Sequence, residues 1–141
     1  MKIFIGLILF VIFLFLSLIH FFWGLGGKWG ADGAIPSKAN GNKVINPKSV
    51  DCFVVGIVLL CFGIFILIAS EIISFLLPTW ISNSGLWIIS SLFILRAIGE
   101  FKYIGLFKRI RGTKFGRLDT KYFSPLCLLI GLLAIILSIH K

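Results

Sequence analysis

The chain has 141 residues, of which 59% are hydrophobic and only 13% charged, with a mean hydropathy of +1.10. Ordinary soluble domains carry about 25% charged residues, and a fold of this size has too little polar surface to cover so apolar a chain in water. A net charge of +9 would suggest nucleic acid in a soluble domain, but the basic residues sit almost wholly in two loops between apolar runs, so no nucleic-acid partner is expected and the bilayer is the solvent.

In chain order, the residues predict an all-α fold, a polytopic membrane helix bundle with four transmembrane helices in one domain over 1–141. A helix needs about 20 apolar residues to cross the hydrocarbon core. The first span, about 3–22, is longer than the roughly 7–15-residue core of a signal peptide and ends in His20-Phe21-Phe22-Trp23, not a small-x-small cleavage site. It is expected to be retained. A loop rich in Gly, Lys and Asn follows, punctuated by Pro36 and Pro47. The second span covers about 50–70, with Asp51 in its first turn, where a helix N-terminus favours negative charge. The third is ambiguous, Trp80 to Ile98 or Leu86 to Phe107, and about 83–105 is taken as its extent. A basic loop leads to the fourth span, about 122–139, with Pro125 in its first turn, where proline is tolerated.

Charge sets the orientation. Loop one carries Lys28, Lys38, Lys43 and Lys48; loop three carries Lys108, Arg109, Arg111, Lys114, Arg117 and Lys121; the opposite side has Lys2 and Lys141. The positive-inside rule then puts both loops in the cytoplasm and both termini outside the inner (plasma) membrane. Trp23 and Trp29 at one boundary, and Trp80 and Trp87 at the other, suit the two interfaces.

The strongest polar anomaly is Arg96-Ala97-Ile98-Gly99-Glu100-Phe101-Lys102-Tyr103. On a continuous helix Arg96, Glu100 and Tyr103 share one face, and an intramembrane charge is costly unless paired or watered. The candidate polar site is therefore His20, Arg96, Glu100 and Tyr103, with Arg96 paired to Glu100. Two readings stand: a stripe that packs the bundle, with Lys102 snorkelling to headgroups, or the lining of a polar cavity. His20 could titrate near neutral pH, and Asp51, Asp119 and Tyr122 fall at the same boundary. Glu71 reads as a solvated interfacial carboxylate. Lys108, Arg109, Arg111, Lys114 and Arg117 are expected to contact anionic lipid headgroups, at about 1 kcal/mol per basic residue near the surface.

Other chemistries fail on spacing. Cys52, Cys61 and Cys127 form neither C-x-x-C nor a zinc pattern and read as small buried hydrophobes; His20 and His140 lie on opposite sides, so no metal site is expected. Gly24-Leu25-Gly26-Gly27-Lys28-Trp29 lacks the Gly at 22 and the Ser or Thr at 29 that a phosphate loop requires. No cofactor is expected.

The stretches His20-Phe21-x-Trp23, Gly27-x-Trp29-Gly30, Arg96 to Tyr103 with Gly105, Phe107 and Lys108, and Leu118-Asp119-Thr120-x-Tyr122-x-Ser124-Pro125-Leu126-Cys127 carry a resemblance over nearly the whole chain. They are similar to the bacterial membrane-protein family called domain of unknown function 3995. The resemblance implies the four-span architecture and leaves activity open. Three functions follow as expectations: binding of a lipid or partner helices, a small transporter or channel built as a homo-oligomer, or an enzyme acting on an apolar substrate at the cytoplasmic leaflet.

Overall fold

The structure is a computed structural model describing residues 1–140; Lys141, counted above for orientation, lies outside the described residues. Helices α1 (Lys2–Gly24), α3 (Ser49–Ala69) and α4 (Thr79–Ile98) each match one apolar run, and short α2 (Ala31–Ala34) lies within loop one. Short α5 (Lys114–Leu118), a π-helical turn (Asp119–Phe123) and α6 (Ser124–Ile139) form one continuous fourth helix. Four helical segments are thus long and apolar enough to cross a membrane: 2–24, 49–69, 79–98 and 114–139.

The third helix follows the first of its two expected extents, Trp80 to Ile98, and not 83–105, and the fourth begins earlier than expected, each for a local reason. The third helix stops at Ile98, because Gly99 takes φ +81°, a left-handed backbone that glycine adopts without steric cost. The fourth helix begins eight residues early, at Lys114 rather than 122, and Pro125 is therefore interior to the helical run. Proline lacks an N–H, and its ring crowds the carbonyl four residues back. The widened turn at Asp119–Phe123, immediately before Pro125, accommodates both defects.

The helices associate as two antiparallel pairs, α1 with α3 and α4 with α6. Lipid tails are as apolar as the helices, so close backbone approach and hydrogen bonds drive such pairing more than hydrophobicity does. The α1–α3 seam accordingly uses small residues: Gly56 lies under Phe21, Gly63 under Phe10 and Phe13, and Gly6 against Ser70. The buried Ser17 hydroxyl donates to the Gly56 carbonyl at 2.7 Å. On the other pair, Gly131 admits Ile94 and the Ser90 carbonyl. Phe13, fully buried, joins the pairs, meeting Phe62 and Phe93 edge-on at 5.9 and 5.4 Å. The apolar residues left exposed along the helices, such as Phe4, Val11, Val54 and Leu92, form the surface that lipid covers. Cys61, expected to be buried, is exposed on this surface, and Cys52 and Cys127 are half-buried.

At one end Lys2 pairs with Glu71 at 2.5 Å, so the carboxylate read as merely solvated has a partner. Exposed pairs of this kind contribute about 0–1 kcal/mol. At the other end loops one and three meet, with α2 resting on α5 and the Gly33 backbone against Leu118.

A side chain at Gly131 would begin 2.6 Å from Ile94 Cγ1 and 3.3 Å from the Ser90 carbonyl, whereas one at Gly112 would meet nothing within 4 Å. Gly131→Val is expected to cost about 1–3 kcal/mol by overpacking and Gly112→Ala almost nothing. Thermal unfolding in detergent checks this; equal midpoints for the two variants would contradict the close α4–α6 seam.

Candidate functional site

The charged residues near the loop-bearing end converge on Asp119, in the first position of the π-helical turn and fully buried. Its Oδ1 accepts from Arg96 Nη2 at 3.0 Å. Its Oδ2 accepts from Lys108 Nζ at 2.9 Å and from the Gly105 N–H at 2.8 Å. Lys108, whose side chain is 0% exposed, also donates to the Gly105 carbonyl at 2.9 Å and to Thr120 Oγ1 at 2.7 Å. An ammonium has three donors and no acceptor, and all three are used. A buried charge left unpaired costs several kcal/mol; here cation and anion satisfy each other. Among the described residues, Arg96 Nη1 and Ser124 Oγ are the buried side-chain polar atoms without a hydrogen-bond partner.

Two glycines make this arrangement reachable. Gly99 and Gly105 both hold positive φ, +81° and +95°, and lie backbone to backbone, with Gly105 against Ile98 and Gly99 against Ile104. Any Cβ at either would strike backbone, which cannot swing aside. The tight loop they close returns the chain to α4, where Leu106 N–H donates to the Ala97 carbonyl at 2.8 Å, and it aims the Gly105 N–H at Asp119.

The expected polar stripe is therefore corrected. Because the helix ends before residue 100, Arg96, Glu100 and Tyr103 do not share a helical face, and Arg96 pairs with Asp119, not Glu100. Glu100 is exposed and accepts from the Tyr103 backbone N–H at 3.2 Å. Lys102 stacks over the Tyr103 ring at 5.2 Å. Lys108, expected at lipid headgroups, is instead the buried partner of Asp119. Asp119 itself was visible only as a boundary acid. The signal that could have found it is one acid among six basic loop residues, directly before a proline-bearing span.

Four of the other basic residues open onto a cleft of about 700 Å³ between loops one and three. Arg109, Arg111 and Lys114 line it from loop three, and Asp32 and Lys43 from loop one. Arg111 is braced by its donations to the Lys108 and Leu106 carbonyls, at 3.1 and 3.2 Å. Asp32 pairs with Lys43 at 3.0 Å. That hydrogen bond, with the nearby charges of Lys43, Lys114 and Lys28, holds the Asp32 carboxyl below the usual carboxylate range. Arg117 is exposed on α5, outside this cleft.

His20 lies apart from Arg96, in a second cleft of about 220 Å³ framed by Trp23, Ala34, Pro36, Ile45 and Val55. Its Nδ1 donates to the Leu16 carbonyl at 2.8 Å. Its ring meets Trp23 edge-on at 5.1 Å, and the Trp23 indole N–H donates to the Trp29 carbonyl at 2.8 Å. Asp51 also borders this cleft, its Oδ2 accepting the Lys48 N–H at 2.8 Å as a helix cap.

Fold and site together define a multi-pass, four-helix membrane protein with a pinned ionic core and two clefts at its loop end. Residues 13–134 match the family described as protein of unknown function (DUF3995), and the chain belongs to that family. No curated protein and no solved structure matches it.

Asp119→Ala strands the buried Lys108 ammonium and is expected to destabilise by roughly 3–5 kcal/mol, as breaking one side of a buried pair does. Glu100→Ala, at an exposed loop carboxylate, should change stability by less than about 0.5 kcal/mol. Unfolding midpoints of the two variants in the same detergent decide it, and a larger loss from Glu100→Ala would restore the stripe in place of the cluster.

Proposed function

We propose that this protein binds anionic lipid, holding the headgroup phosphate in the basic cleft between loops one and three. The observation that carries this reading is the convergence of Arg109, Arg111 and Lys114 with Lys43 on one cleft of about 700 Å³. That volume lies within the roughly 300–1,000 Å³ range of ligand pockets. Basic pockets at the cytoplasmic end of helices suit phosphate headgroups, and the guanidinium fork matches phosphate geometry. The positive-inside rule puts these loops at the cytoplasmic face of the plasma membrane, with both termini outside. The transporter reading rested on Arg96 facing an open polar cavity. Arg96 is engaged by Asp119, which favours binding over transport.

In phosphatidylcholine nanodiscs, phosphatidylglycerol is expected to bind more tightly than the zwitterionic host, and rising salt should weaken that preference. Arg109→Ala and Lys114→Ala should each reduce affinity about fivefold, the equivalent of about 1 kcal/mol. Asp32→Asn frees Lys43 and should strengthen binding. Native mass spectrometry of the released protein reads all of these; equal binding of the two lipids would sink the proposal. Reporter fusions test the orientation, and a cytoplasmic signal at either terminus overturns it.

A further inference from the structure

The two clefts share a wall. Ile35, the extended residue that ends α2, lines both the basic cleft and the smaller one around His20. The two differ in chemistry. The first is bordered by four cations, while the second is mainly apolar, with Ala34, Pro36, Ile45 and Val55 on its walls. Its polar edge is supplied by His20 and Asp51. At about 220 Å³ it is smaller than the roughly 300–1,000 Å³ of pockets that hold whole ligands, so it suits one part of a molecule whose remainder sits next door.

We infer that the smaller cleft receives one acyl chain of the same anionic lipid whose phosphate occupies the basic cleft, so that the ligand is an amphiphile held at both ends across Ile35. The inference rests on the proposed headgroup site. Several features on either side of Ile35 fit such an occupant. A phosphate held by Arg109 and Lys114 leaves the glycerol backbone toward Ile35, with the His20 ring on the polar edge of the cleft beyond it. The chain beyond it then meets Trp23 and Val55, at the ends of α1 and α3, where the apolar part of a lipid enters the bilayer. An occupant with no charge would leave the cations of the basic cleft uncompensated, and a free phosphate would leave the apolar cleft to water. An amphiphile satisfies both.

The test uses the full-length protein in phosphatidylcholine nanodiscs and three probes: lysophosphatidylglycerol, lysophosphatidylcholine and the chain-free headgroup glycerophosphoglycerol. Val55→Trp narrows the smaller cleft from the α3 side at a position already exposed. It is expected to weaken lysophosphatidylglycerol about tenfold or more, through loss of buried methylenes, and to leave glycerophosphoglycerol unchanged. Arg109→Ala should weaken both anionic probes. As a readout needing no variant, lysophosphatidylglycerol with a diazirine near the head of its chain should label the wild-type protein within 20–23, 31–36 or 45–55. Unchanged lysophosphatidylglycerol affinity in Val55→Trp, or labelling confined to the outer helix faces, overturns the inference while leaving the headgroup site intact. Equal affinity for both lysolipids, unaffected by Arg109→Ala, removes the headgroup site and this inference with it.

Discussion

The meeting of α4, loop three and the fourth helix at the loop-bearing end depends on one buried carboxylate. Asp119 ties together segments distant in sequence: the end of α4 through Arg96, the Gly99–Gly105 loop through the Gly105 N–H, and loop three through Lys108. In so apolar a protein each of those charges alone would be prohibitive. Together they form a closed unit in which the carboxylate and the ammonium have their hydrogen-bonding capacity met. The π-helical turn supplies the geometry, and turns of this kind recur at functional positions. The neighbouring Pro125 gives it a local cause.

The basic cleft inherits its shape from that unit. Lys108 pins the middle of loop three, so the next residues, Arg109 and Arg111, are carried outward at a defined place, and Arg111 is fixed further by two backbone carbonyls. Loop one is held against this platform by α2 on α5. The cations on the cleft are thus presented by anchored backbone, which lowers the ordering cost that a flexible basic loop would pay on binding. The bundle beneath follows a different logic. Its two antiparallel pairs use glycine, serine and the buried Phe13 to bring helices close, and give the rest of their apolar surface to lipid.

Much of this was legible in the residues because it depends on local or one-dimensional properties. Four apolar runs of spanning length, loops that collect the lysines and arginines, and the family motifs over nearly the whole chain require no knowledge of which helix neighbours which. The hydropathy of the third run is the weakest, 1.4 against 2.4–3.1 for the others, and its boundary was correspondingly open. Gly99 resolves it through a backbone angle that a sequence permits but does not dictate.

The amino-acid sequence alone determined the membrane class, the number of spans and the grouping of basic loops at one end, since each follows from the chain's partition between lipid and water. Only the tertiary structure decided the partner of Arg96. Helical periodicity offered Glu100, four residues on, because local spacing can propose only local pairs. The real partner lies 23 residues away, brought in by the turn at Gly99 and the packing of α4 on α6. The same packing moved Lys108 from the headgroup layer to the interior, and the meeting of the two loops made the clefts on which the lipid-binding proposal rests.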